Sequence, residues 1–139
     1  MGSDLVRFSV SIERELLTRF MREARRRKFV NRSEAIRGLI RDSLVREEWA
    51  ADQEIVGTIT IVYDHHRRTL LDRLAEAQHD HHEAVLSTTH VHLDHDNCLE
   101  IIAVRGTAGK VQRVADAILG IKGLKHGKLT ATTTGKRLV

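Results

Sequence analysis

Hydrophobic and polar residues alternate from Val6 to Ile12, with Val6, Phe8, Val10 and Ile12 on one side and Arg7, Ser9 and Ser11 on the other. A period of two is that of a half-buried strand. From Glu13 the period lengthens. Leu16, Leu17, Phe20, Met21 and Ala24 recur at helical spacing, up to the basic run Arg25-Arg26-Arg27-Lys28, whose cations suit the negative end of a helix dipole. Asn31 then reads as an N-cap, with Glu34 completing a capping box. A second helix follows, with Ala35, Ile36, Leu39, Ile40, Leu44 and Val45 on its apolar stripe, running to about Ala51.

One strand and two helices in ~50 residues cannot stand alone, because the strand has no ladder partner and the core is too small. Pairing with a second copy supplies both. The predicted product is a two-stranded antiparallel ribbon over four helices, with Arg7, Ser9 and Ser11 facing outward from each chain. Such a ribbon fits the DNA major groove, where arginine and hydroxyl groups read base edges. A dimerisation strand with merely solvated polar residues is the plainer alternative.

The remainder has a different rhythm. Residues 54–63 are β-branched and strand-like, 66–78 form an amphipathic helix, and 84–93 and 98–105 are strands joined by the turn Asp94-His95-Asp96-Asn97. Residues 107–119 are helical and 125–134 strand-like. The order βαββαβ is that of ferredoxin-like and ACT-type domains, so the expected fold class is α+β. The expected domains are residues 1–51, for DNA binding and dimerisation, and 52–139.

Composition sharpens this division. The chain has 139 residues, 41% hydrophobic and 30% charged, as in an ordinary globular protein. No run approaches the ~18 apolar residues of a membrane span, and no signal-peptide pattern opens the chain. The lone cysteine fits a reducing compartment, and a cytoplasmic protein is expected. Residues 1–52 carry 12 Lys+Arg against 9 Asp+Glu and no histidine, whereas all 9 histidines fall in residues 53–139. A modest basic excess permits nucleic-acid binding without requiring it.

The histidines concentrate near one cysteine. His90 and His92 share one side of a strand, and a four-residue turn brings Cys98 back beside His92. Two imidazoles and a thiolate then converge, and the cluster His79-Asp80-His81-His82 can supply a fourth ligand. A symmetric neighbour presents that cluster better than the same chain does, which places the metal at a subunit interface. This donor set serves Zn²⁺, Ni²⁺ or Cu²⁺, and the residues alone leave the choice open. The run His90–His95 also reads HxHxDH, similar to the motif of metallo-β-lactamase-fold hydrolases. Those enzymes need further downstream His and Asp ligands. Here only His126 follows, and no acid lies beyond Asp116. No Ser/His/Asp order, Walker loop or dinucleotide fingerprint offers another enzyme.

From Arg7 to about Leu129 the chain resembles the nickel-responsive transcriptional regulators of the NikR type. The carrying segments are Asn31-Arg32-Ser33-Glu34-Ala35-Ile36-Arg37, Gln78-His79, and His90-Val91-His92 through Asp96-Asn97-Cys98-Leu99-Glu100. The resemblance implies a ribbon-helix-helix domain joined to an ACT-like metal domain, assembled as a homotetramer (a dimer of dimers) on double-stranded operator DNA. It implies one Ni²⁺ per chain, in a planar site of His90, His92 and Cys98 with His79 of a partner chain. Zn²⁺ and Cu²⁺ are the expected competitors. Gln78 and Glu100 match positions supporting these ligands, and His65 matches a histidine of alternative coordination. Arg7, Ser9 and Ser11 match the positions that read operator bases. Gly38 departs from relatives in which an acid there, with Glu34, helps hold a second cation.

The resemblance further implies repression of nickel-uptake genes when Ni²⁺ is bound. Two rivals come from other classes. One is a ribbon-helix-helix repressor whose ACT-like half senses an amino acid, and the other is a metal-storage protein.

Overall fold

The computed structural model describes residues 4–138 and contains four helices and four strands among them: α1 (Arg14–Arg26), α2 (Arg32–Ala50), β1 (Glu54–Asp64), α3 (Arg68–Asp80), β2 (Val85–His92), β3 (Asn97–Thr107), α4 (Ala108–Leu119) and β4 (His126–Thr133). They fall into two compact units. One comprises the residues up to Leu44 with Arg137 and Leu138, and the other comprises Val45–Lys136.

In the first unit α1 ends at a left-handed residue, Lys28 (φ +58°), which lets the Phe29 N–H return to the Ala24 carbonyl at 3.0 Å. Asn31 caps α2 as its spacing predicts, its Oδ1 accepting from the Glu34 N–H at 2.9 Å. The Glu34 carboxylate pairs with Arg37. Leu5–Ile12 carries no strand within the chain, because no other segment of the chain offers it a ladder. Its apolar residues are open to solvent, Val6 at 80%, Phe8 at 70% and Val10 at 68%, and only Ala24 and Ala35 are buried in the helices of this unit. So much apolar surface over so small a core is the signature of an unmet interface.

The second unit is a four-stranded antiparallel sheet in the order β2-β3-β1-β4, with connectivity βαββαβ. This is the ferredoxin-like arrangement the sequence predicts. Alternation in β1 buries Ile55, Ile59, Ile61 and Tyr63, and in β3 it buries Cys98, Glu100, Ile102 and Val104. Leu70 and Leu74 of α3, and Val111, Val114, Ala115 and Ile118 of α4, complete this core. Thr107 caps α4 through its hydroxyl, and the Asp52 carboxylate accepts from the Gly109 N–H at the positive end of the same helix. At Gly127 an added Cβ would meet the tip of the Leu119 side chain, which would have to turn aside, and would stand 3.2 Å from Ile61 Cγ2. β2 is an edge strand, and every residue in it after Val85 is exposed.

Candidate metal centre

The centre is built on register. In the β2–β3 ladder His92 lies opposite Cys98 and His90 opposite Glu100, while the β1–β3 ladder places Tyr63 opposite Cys98. Residues directly opposite one another point to the same face, so these five side chains share the face that carries the core. Position in the sheet then decides their exposure. Cys98, Glu100 and Tyr63 are on inner strands and buried, whereas His90 and His92 are on the edge strand and exposed.

The turn from β2 to β3 is held by Asp94. Its carboxylate accepts from the backbone N–H groups of Asp96 (2.9 Å) and Asn97 (2.8 Å) and from the Asn97 side-chain amide (2.9 Å). Those bonds, the Asn97 side chain foremost, pull its carboxyl down to about 2. This fixed turn sets the offset between His92 and Cys98.

Behind the imidazoles lies a buried polar network around Glu100, which is 2% exposed. The Tyr63 hydroxyl donates to Glu100 Oε2 at 2.9 Å, and the Gln78 amide donates to Oε1 at 3.0 Å. Oε1 also stands 3.4 Å from His90 Nε2, and the Tyr63 oxygen 3.4 Å from His90 Nδ1. Burial, then the carboxylate it donates to, pushes the Tyr63 phenol above its ordinary range, so it serves as a fixed donor. A cleft of about 160 Å³ beside Leu71, Leu74 and Gln78 leaves His90 room to turn.

Gln78 ties the end of α3 to β3, and its neighbour His79 is turned by roughly 100° around the helix. His79 is exposed, its ring stacked on His82 with centroids 6.1 Å apart. The chain therefore sets His90, His92 and Cys98 on one sheet face, without their ligand atoms all lying within 4.8 Å of one another, and does not bring His79 to them. Among the described residues, the one set of three His, Cys or carboxylate donors lying within 4.8 Å of one another is His66, His95 and Asp96. His65 packs edge-on against His92, ring centroids 5.5 Å apart. Arg7, Ser9 and Ser11 are exposed in the segment before α1.

Sequence reasoning missed Tyr63 and the group at His66, His95 and Asp96. Tyr63 was legible in principle, as the last inward position of an alternating strand. The other group depends on two loops meeting, which no local pattern encodes.

The model of the NikR C-terminal nickel-binding domain matches residues 56–132, and that of the ribbon-helix-helix proteins of the copG family matches residues 6–47. A protein of Geobacter sulfurreducens described as a "Putative nickel-responsive regulator" is 53% identical over 136 residues, covering 97% of this chain and 98% of that one. Proteins with the same description from Syntrophus aciditrophicus (49%, covering 96% and 98%) and Thermococcus onnurineus (48%, covering 97% and 99%) are similarly close. The chain belongs to the nickel-responsive regulator family. That family consists of transcriptional regulators, not enzymes. The fold alone is shared with an uncharacterised protein of Thermotoga maritima, at a TM-score of 0.50 and 16% identity over 57% of this chain and 98% of that one.

The residues present fit Ni²⁺. A thiol and two imidazoles on one sheet face are donors of the softness that late first-row ions select, and a buried carboxylate beside one imidazole is the usual outer support. Among the described residues no helix is long and apolar enough to cross a membrane.

Proposed function

We propose that this protein is a cytoplasmic, nickel-dependent repressor of nickel-uptake genes that works as a homotetramer on double-stranded operator DNA. Residues 1–51 bind DNA and dimerise, and residues 52–139 bind metal and hold the dimers together. His90, His92 and Cys98 of one chain and His79 of a partner subunit hold one Ni²⁺ per chain, with Zn²⁺ and Cu²⁺ as competitors. The observation that carries the ligand set is the register that sets His90 and His92 beside Glu100 and Cys98, within a chain matching both family domains. The exposed His79, turned outward from Gln78, supports a ligand given to a neighbour.

The chain's own residues prepare the coupling. Glu100 and Tyr63 face both nitrogens of His90, so one can keep the ring's proton fixed while the other nitrogen is freed for a ligand bond. Gln78 makes the end of α3 part of the same network, so a change at Glu100 is felt one residue from His79. Bound Ni²⁺ supplies a cross-link between the strand pair of one subunit and the helix end of another. The exposed apolar residues from Val6 to Ile12 pair with their copies, and Arg7, Ser9 and Ser11 of the resulting ribbon face the operator. Two such ribbons on one tetramer bind two half-sites, and by linkage DNA and metal strengthen each other by the same factor.

The test is operator binding by the chelated protein, with and without one equivalent of Ni²⁺ per chain. Tight binding only with metal, together with a sulfur-to-metal absorption band in the near ultraviolet that is lost in Cys98→Ser, supports the proposal. Metal-independent binding enhanced by an amino acid would replace it with the amino-acid-sensing reading.

A further inference from the structure

Charge is divided unevenly between the two units. Residues 4–44 hold 11 Lys+Arg against 6 Asp+Glu, whereas residues 45–136 hold 11 against 13. Within the first unit the excess gathers on α1, which carries Arg14, Arg19, Arg22, Arg25 and Arg26 against Glu15 and Glu23. Its apolar side is turned inward: Ala24 is buried and Leu17, Phe20 and Met21 are half-buried, while all five arginines are exposed. Glu23 pairs with Arg26 at 2.6 Å, and among the described residues no ion pair engages Arg14, Arg19, Arg22 or Arg25. Arg22 sits at the centre of this face, with Arg19, Arg25 and Arg26 as its i−3, i+3 and i+4 neighbours. Like charges at those spacings weaken a helix, so the pattern costs local stability unless an anion lies over it. An open cleft lined by Arg14, Glu15, Thr18, Arg19 and Arg22 runs along the face, and a second one sharing Thr18 and Arg22 continues it to Arg25 and Arg32.

From this charge pattern we infer that the outer face of α1 is a further DNA-contacting surface, one that holds the phosphate backbone of duplex DNA without regard to base sequence or nickel. From Arg14 to Arg25 the helix rises about 16 Å, the axial length of roughly five phosphates on one strand. A row of free guanidiniums suits phosphate, which each can meet through two parallel N–H groups. A second copy of this chain does not fit, because two such faces repel. A lipid surface would need apolar residues among the cations, and the cleft from Arg14 to Arg22 has none. The face begins two residues after Ile12, where the segment bearing Arg7, Ser9 and Ser11 ends, so DNA lying on that segment lies close to the start of α1 as well. None of these arginines belongs to the metal-binding unit, so the grip needs no Ni²⁺. It gives the metal-free protein a weak hold on any duplex, from which the operator can be found. This role rests on the DNA-binding reading given above, though not on its base-reading residues or its metal ligands.

The salt dependence of binding counts phosphate contacts, and that makes the test. Full-length, chelated protein is titrated into a labelled duplex of random sequence, with anisotropy read over a series of salt concentrations. Arg14→Gln, Arg19→Gln and Arg22→Gln keep good helix formers in place and remove one charge each. Each should make the log–log salt slope shallower by about 0.9 for every α1 engaged, and weaken binding about eightfold at ~0.1 M salt. Unchanged helical circular dichroism and oligomer size certify that each variant is folded. Arg113→Gln, which removes an exposed arginine of α4, controls for bulk charge and should leave the slope in place. A slope that survives the three α1 substitutions combined would overturn the surface, as would an equal loss from Arg113→Gln or a chelated protein that binds no duplex at all. Tighter binding of polyglutamate through the same arginines would also overturn it, and would assign the face to an acidic protein. Operator binding that ignores Ni²⁺ counts against the metal-gated reading and not against α1, so the two ideas fail on separate signals.

Discussion

Replacing Glu100 by glutamine tests whether the buried carboxylate serves the metal or only the fold. Its two oxygens accept from Tyr63 at 2.9 Å and from Gln78 at 3.0 Å. An amide has one acceptor oxygen. If that oxygen faces Tyr63, the new NH₂ donates to the Gln78 side chain, whose amide turns over to present its Oε1. If it faces Gln78, the NH₂ donates to the Tyr63 oxygen, and the phenol proton turns toward His90 Nδ1, 3.4 Å away. Either arrangement satisfies every group. Two charge-assisted bonds become neutral ones, which loses about 1–1.5 kcal/mol each. Removing an ionised group from a buried position returns a desolvation term of several kcal/mol at most. These oppose each other, and the metal-free variant should stay within about 2 kcal/mol of the parent in chemical denaturation.

Metal affinity should not stay. In either arrangement His90 loses the carboxylate beside Nε2, the group placed to fix its ring proton while the other nitrogen takes a ligand bond. Loss of such support costs roughly 10- to 100-fold in affinity, or about 1.4–2.7 kcal/mol. Competition with a chelator of known nickel affinity measures this directly. Parent-like affinity in a stably folded Glu100→Gln protein would refute the argument, leaving Glu100 a packing residue with satisfied hydrogen bonds.

Three other outcomes are expected. Arg7→Ala should reduce operator affinity by about 1–3 kcal/mol per lost base contact while Ni²⁺ uptake is unchanged; equal affinity at fixed salt means the ribbon does not read DNA. Gly127→Ala should cost no more than about 1 kcal/mol, because the Leu119 tip can turn aside and Ile61 Cγ2 need give only slightly; a larger fall in the denaturation midpoint would mean that Leu119 is locked in place. His79→Ala and Cys98→Ala should each alone disable every nickel site built on His90, His92 and Cys98, yet refolding the two variants together should restore some full-affinity sites. No restored sites in verified mixed oligomers would mean that His79 serves its own chain or none.

What was legible in the sequence follows the range of the interactions involved. Helices and strands of the second unit follow from periods of 3.6 and 2, which are local. His90, His92 and Cys98 come together through one short hairpin, where register follows from turn length and parity, so their shared face could be inferred without the rest of the fold. Glu100 entered only through family resemblance, although it lies two residues from Cys98 on the same side of the strand. Its partners Tyr63 and Gln78 are 37 and 22 residues away, and no local pattern predicts a charge with such distant donors. The ribbon is a different case. The alternation from Val6 to Ile12 is as clear as any in the chain, yet a single chain forms no strand there, because a ladder needs a second backbone.

The missing ladder and the outward His79 have one physical origin. A segment without a ladder, an edge strand with no buried residue, and a proposed ligand, His79, set apart from His90, His92 and Cys98 are each incomplete within one chain. Exposed apolar residues at Val6, Phe8 and Val10, and again at Leu86, Val91 and Leu93 on and just beyond the edge strand, favour burial by other copies. A protein whose ligands are completed only by association ties metal binding to assembly. Under the proposed ligand set, metal occupancy depends on which subunits are in contact, and a DNA-binding ribbon formed between subunits is set by the same equilibrium.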